Sequence, residues 1–79
     1  MEGSSQKGFD GIGIIDRIDV LGLRPDRIVK FDLIVGALIL SCYYGGDTAP
    51  HLRNGALVRV TGRWLTRAGE IFVDSVGRL

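Results

Sequence analysis

The sequence predicts an all-β domain of five strands, and three observations carry that prediction. β-branched residues are abundant, with eight Ile, seven Val and three Thr, and such side chains suit a pleated, half-buried surface. Twelve glycines stand against four alanines, the reverse of what a helical bundle uses. Turn signals recur between strand-length segments, at Leu21-Gly22-Leu23-Arg24-Pro25, Gly36, Gly45-Gly46-Asp47, Asn54-Gly55 and Ala68-Gly69. Punctuation at that spacing marks a sandwich or a barrel.

Each element follows from local pattern. Residues 1–8 are polar, small and aperiodic and read as a flexible leader, leaving 9–79 as one domain. The first strand spans about Phe9 to Val20. Ile12, Ile14, Ile18 and Val20 share a face, but Ile15 and Asp16 break the alternation, so a bulge or sharp bend is expected there. The second strand, about Arg27 to Val35, turns Val29, Phe31, Leu33 and Val35 to the core and Ile28, Lys30, Asp32 and Ile34 outward. Gly36 supplies the backbone freedom for a tight reversal into the third strand, Ala37 to Tyr44. There Leu38, Leu40, Cys42 and Tyr44 lie opposite Ala37, Ile39, Ser41 and Tyr43.

The segment from Asp47 to Asn54 predicts one or two helical turns. Asp47 or Thr48 would cap them, Pro50 suits a first turn, and Asn54-Gly55 is a stop. A fourth strand, Ala56 to Leu65, puts Val58, Val60, Gly62 and Trp64 on one face and Arg59, Thr61 and Arg63 on the other. The fifth, Glu70 to Leu79, turns Ile71 and Val73 inward, with Val76 and Leu79 following after a phase shift.

Composition narrows the function. An apolar fraction of 46% excludes a disordered tail. A single cysteine, Cys42, makes no internal disulfide and no Cys-based zinc cage. The N-terminal stretch lacks the charged-then-apolar pattern of a signal peptide. The longest apolar run, Leu33 to Leu40, is far short of the roughly 20 residues that span a bilayer. A cytoplasmic protein, or one of the nucleoid or nucleus, in a reducing compartment and without membrane contact is therefore expected.

The net charge is only +1. Its distribution is uneven, however: residues 1–47 carry five basic groups against seven acidic ones, and residues 48–79 carry five arginines against Glu70 and Asp74. Eight of the ten basic residues are arginine, whose planar guanidinium bonds phosphate through two N–H groups and stacks on rings.

Strand, strand, strand, short helix, strand, strand resembles the oligonucleotide/oligosaccharide-binding (OB) fold, a five-stranded Greek-key barrel. Leu52-Arg53-Asn54-Gly55-Ala56-Leu57-Val58-Arg59-Val60-Thr61-Gly62 looks like that family's helix exit and fourth strand. Ala68-Gly69-Glu70-Ile71-Phe72-Val73, with Val76 and Leu79, is similar to the closing hairpin of single-stranded-DNA-binding members such as the domains of replication protein A and of archaeal single-strand binders. The resemblance covers residues 9–79. Gly62 would let the fourth strand coil tightly enough to close the barrel. An SH3-like or Sm-like small barrel is the competing fold. Such barrels usually carry their helical turn elsewhere, so the segment at 47–54 favours the OB arrangement.

Catalysis finds little support. His51 is the only histidine, Cys42 sits on the core face, and Gly11-Ile12-Gly13 lies inside a strand without the rest of a dinucleotide fingerprint. No enzyme, metal or cofactor is expected. The resemblance implies instead a ligand crossing the outward face of strands two and three, walled by the loops after strand one and between strands four and five. Carried onto this chain, the nucleic-acid-binding residues are Arg24, Arg27, Lys30, Tyr43, Arg63, Arg67 and Phe72. Tyr43 would stack on a base while the cations track phosphates. Phe72 is either a ligand platform or a subunit contact, Tyr44 a rim residue and Trp64 a lid on one barrel end. Asp32 on the same face opposes phosphate.

The expected partner is single-stranded nucleic acid, DNA slightly ahead of RNA, bound with low sequence specificity. A lone small barrel covers few nucleotides, so a homo-oligomer or a larger protein partner is expected as well. The alternative is an assembly module docking on another subunit through an apolar outer face, since Ile28, Ile34 and Ile39 all point outward and mean hydropathy is +0.22.

Overall fold

The computed structural model describes residues 7–22, 28–45, 52–65 and 69–79. They form five strands: β1 (Gly8–Leu21), β2 (Ile28–Val35), β3 (Leu38–Gly45), β4 (Leu57–Trp64) and β5 (Glu70–Arg78). The strands close into a barrel in the order β1-β2-β3-β5-β4, with β4 returning to β1. All pairings are antiparallel except β3 with β5. This architecture fits an OB fold or another small barrel. Among the described residues no helix is long and apolar enough to cross a membrane.

Closure rests on β1, which is long enough to serve two neighbours. Its first half pairs with β4 from Gly8↔Arg63 to Ile14↔Leu57, and its second half with β2 from Ile14↔Ile34 to Leu21↔Ile28. Ile14 belongs to both ladders. The expected bulge follows between Asp16 and Asp19, where Arg17 adopts a φ of 55°. A left-handed residue with a Cβ costs about 1–2 kcal/mol. The turn at Asn54-Gly55 braces this irregularity: Ile18 N–H donates to Asn54 Oδ1 (3.2 Å), Gly55 N–H to the Ile15 carbonyl (2.7 Å) and Ile15 N–H to the Ala56 carbonyl (3.0 Å).

The bulge decides which isoleucines are inside. Phe9, Gly11, Gly13 and Ile15 face the interior on one side of it and Ile18 on the other, whereas Ile12, Ile14 and Val20 are exposed. The face shared by Ile12, Ile14, Ile18 and Val20 in a simple alternation is therefore broken in two, because the extra residue reverses the parity of everything beyond it; Val20 shares the parity of Ile18 and pairs with Val29 but is exposed near the end of the strand.

Most of the helical turns expected at 47–54 fall outside the described residues. Residues 46–51 lie outside the described set, and no helix occurs among the described residues. Asn54-Gly55 is a turn, closed by Ala56 N–H donating to the Arg53 carbonyl (3.0 Å), and its backbone is engaged with β1. The polar and positive-φ residues that read as a helix stop serve here to seal the barrel.

The remaining strands follow their alternation. Val29, Phe31 and Leu33 of β2, Leu40 and Cys42 of β3, Val58 and Val60 of β4, and Ile71 and Val73 of β5 join Ile15 in one core. Val35↔Leu38 leaves Gly36 and Ala37 as the β2–β3 turn, with Gly36 at a φ of 61°. The phase shift in β5 is real: Gly62 faces Val73 and Thr61 faces Ser75, skipping Asp74, so Val76 returns to the core. Leu79 does not. It lies beyond the end of β5 and is 65% exposed, because the strand ends before the barrel can cover it. Leu38, at the hairpin end, is likewise exposed. Trp64 packs edge-on against Phe9, with ring centroids 5.4 Å apart, and the two cover one end of the core.

At Gly62 the backbone of β5 leaves no room for a side chain on β4. A Cβ there would collide with the Phe72 carbonyl oxygen and lie 2.9 Å from the Val73 Cα, both backbone atoms that cannot swing aside. Gly77, near the end of β5, has nothing within 4 Å of the same virtual atom. Gly62→Ala should therefore destabilise the fold by about 2 kcal/mol or more, and Gly77→Ala should stay within about 0.5 kcal/mol of wild type. Urea unfolding midpoints measure both, and equal effects would contradict the closure described.

Candidate nucleic-acid interface

Strand alternation that sends Phe31, Cys42, Ile71 and Val73 inward sends Lys30, Tyr43 and Phe72 outward. The register aligns these outward residues across the barrel. Lys30 pairs with Tyr43, Tyr43 with Phe72, and Phe72 with Arg63. Four neighbouring strands thus carry one continuous row, Lys30–Tyr43–Phe72–Arg63, with a cation at each end and two aromatic rings between. The Arg63 guanidinium carbon lies 5.7 Å from the centre of the Phe72 ring, within cation–π range. Phe72 is exposed, and Tyr43 is half-buried.

A second outward row runs beside the first. Asp32 pairs with Ser41, and Ser41 with Glu70; Asp16 extends the row through its pairing with Asp32. The rows touch at two points. Tyr43 donates its hydroxyl hydrogen to Glu70 Oε2 at 3.3 Å, and Lys30 Nζ stands 3.9 Å from Asp32 Oδ1. The tyrosine ring accordingly reaches from the first row toward the second.

Four of the seven residues singled out from sequence, Lys30, Tyr43, Arg63 and Phe72, are brought together in this way. Arg24, Arg27 and Arg67 lie outside the described residues, as does His51. Glu70 was absent from the sequence-derived set. It is distant from Asp32 and Ser41 along the chain, and only the parallel β3–β5 pairing brings the three side by side. Arg59, which follows the outward alternation of β4, is committed elsewhere: its Nε and Nη2 donate to the Asp10 carboxylate at 2.8 and 2.6 Å. That pairing holds the Asp10 carboxyl below its usual range.

The outward isoleucines divide between two places. Ile28 pairs with Leu21 near the start of β2. Ile34 and Ile39 pair with each other at the far end and continue through Ile14 to Leu57. This aliphatic row, Leu57–Ile14–Ile34–Ile39, is exposed except at the half-buried Ile34, and Ile39 is 65% accessible.

Tyr44 packs on the core from a half-buried position, as a rim residue would. Cys42 is fully buried, with Sγ 3.9 Å from the Leu40 carbonyl oxygen. The sequence matches no protein-family model, and no similar protein was found among curated sequences.

Burial, reinforced by the charge of Asp32, pushes the Cys42 thiol from its usual 9.0 up to about 12. The folded chain holds this proton more tightly than the unfolded one, so the resulting stabilisation is complete below about pH 9 and is lost as pH rises toward 12. A thiol reagent at pH 8 should leave the folded protein unmodified and react fully in denaturant. The alkaline loss of stability should be shallower in Cys42→Ala; fast labelling of the native protein would contradict this placement.

Proposed function

We propose that the chain is a single-stranded nucleic-acid-binding module of low sequence specificity, with DNA slightly ahead of RNA. The observation that carries this reading is the Lys30–Tyr43–Phe72–Arg63 row. Two aromatic residues stand side by side in it, and a base–aromatic stack contributes about 1–3 kcal/mol irrespective of sequence; a base stacking on Phe72 would share that ring with the Arg63 guanidinium or displace it. Lys30 and Arg63 at the ends of the row suit phosphates on either side of the stacked bases. The closed barrel is compatible with an OB fold, in which the face of strands two and three is the oligonucleotide platform. On that reading Arg24, Arg27 and Arg67 belong to the flanking loops and extend the phosphate track.

Fluorescence anisotropy with labelled single-stranded oligonucleotides at two salt concentrations tests the reading. Binding should weaken as salt rises, and Lys30→Ala or Arg63→Ala should each lower the log–log salt slope by about 0.7. Tyr43→Ala and Phe72→Ala should each weaken binding by roughly five- to 150-fold. No binding to DNA or RNA at low salt would overturn the proposal.

The aliphatic row Leu57–Ile14–Ile34–Ile39 favours a second reading, an assembly module that docks on another subunit. A contiguous exposed apolar strip of this kind marks an interaction surface. The two functions occupy different parts of the barrel and are compatible. If the strip joins two copies of the chain, light scattering should detect an oligomer that Ile39→Lys converts to monomer with little change in melting temperature. A wild-type chain that remains monomeric at high concentration would exclude self-association through it.

A further inference from the structure

We infer that the polar row beside the rings, and Glu70 above all, makes this site favour bases that carry an exocyclic amino group, cytosine over uracil. The inference rests on the nucleic-acid reading above. Asp32, Ser41 and Glu70 each stand two residues from Lys30, Tyr43 and Phe72, all in the same direction, because the register pairs them in the same order. Successive outward residues on a strand are about 7 Å apart, close to the width of a base. The Tyr43 hydroxyl reaches Glu70, so a base lying on that ring has an edge beside the carboxylate.

Charge decides which part of a nucleotide takes that position. Carboxylates at Asp32 and Glu70 repel phosphate, which Lys30 and Arg63 attract, so the backbone lies away from the acidic row and a base edge faces it. Carboxylate oxygens only accept hydrogen bonds. Cytosine offers them its N4 amino group, and acidic side chains accept from that donor in base recognition. Uracil carries a carbonyl oxygen at the equivalent position, and two acceptors facing one another repel. The two pyrimidines are otherwise alike in ring size, so stacking on Tyr43 or Phe72 separates them little. Asp32, which opposes the binding of a phosphate, thereby helps to orient the base.

The test compares oligodeoxycytidylate and oligodeoxyuridylate 12-mers by fluorescence anisotropy at one low salt concentration. Wild-type protein should bind the cytosine polymer about fivefold tighter or more. Glu70→Gln should bring the ratio close to one, because its amide nitrogen can donate to the uracil carbonyl, and should tighten uridylate binding. Asp32→Asn should shift the ratio in the same direction. Melting temperatures of both variants confirm that they fold. Equal affinity, or tighter uridylate binding, in a protein whose binding still depends on Tyr43 overturns the base preference and leaves the nucleic-acid reading standing. A cytosine preference that survives both substitutions overturns the assignment to these carboxylates. Absence of binding to either polymer overturns the nucleic-acid reading itself, and this inference with it.

Discussion

The structure depends on closure of a small barrel by one long strand. β1 must hydrogen-bond to β4 over its first half and to β2 over its second. The strand passes from one neighbour to the other at Ile14, and its ladder with β2 is then interrupted by the bulge between Asp16 and Asp19. Its left-handed Arg17 is unfavourable in isolation. The Asn54-Gly55 turn holds it in place by accepting and donating the hydrogen bonds that the interrupted ladder leaves over. Between β4 and β5 the close approach at Gly62 removes the room for any side chain. These two contacts, far apart in sequence, determine that the sheet meets itself.

Closure leaves the interior and the candidate site as opposite faces of the same strands. Phe31 lies between Lys30 and Asp32, Cys42 between Ser41 and Tyr43, and Ile71 and Val73 on either side of Phe72. A core residue therefore sits next to every outward residue of the rows except Arg63, which is flanked by Gly62 and the half-buried Trp64, and the burial of that core residue keeps its outward neighbour in position. Strands present the rings and charges, which under the proposed function would limit the ordering entropy lost on binding a ligand. The barrel exterior is graded along β2 and β3, from cations and rings, through carboxylates, to an aliphatic strip at the β2–β3 hairpin. Under the functions proposed above, the grading would keep a charged ligand and an apolar partner from competing for one surface.

Much of the fold was legible because alternation is local. In β2 and β4 every second residue is apolar, so Val29, Phe31, Leu33, Val58 and Val60 could be assigned to the core from spacing alone. The same logic turned Lys30, Tyr43, Arg63 and Phe72 outward. It failed in β1, where Ile12, Ile14, Ile15 and Ile18 are all apolar and glycines occupy two of the inward positions. Parity there hangs on the location of one inserted residue; the broken alternation at Ile15 and Asp16 announced a bulge but not which side of it each isoleucine would face. The segment 47–54, where capping residues, a proline and Asn-Gly read as a short helix, lies largely outside the described residues, but its end shows another limit of local reading. Asn54 and Gly55 are tied to β1 instead, and a local propensity cannot anticipate a partner nearly forty positions away.

The chain alone thus determined strand composition, turn positions and the inward or outward sense of most side chains, since each depends on a residue and its immediate neighbours. Tertiary structure decided which strands lie side by side, and with that the order Lys30–Tyr43–Phe72–Arg63, the Glu70 carboxylate beside the Tyr43 hydroxyl, and the joining of Ile14 and Leu57 to Ile34 and Ile39. Those adjacencies come from register between strands distant in sequence. Register is set by barrel closure, a property of the whole sheet that no single segment encodes.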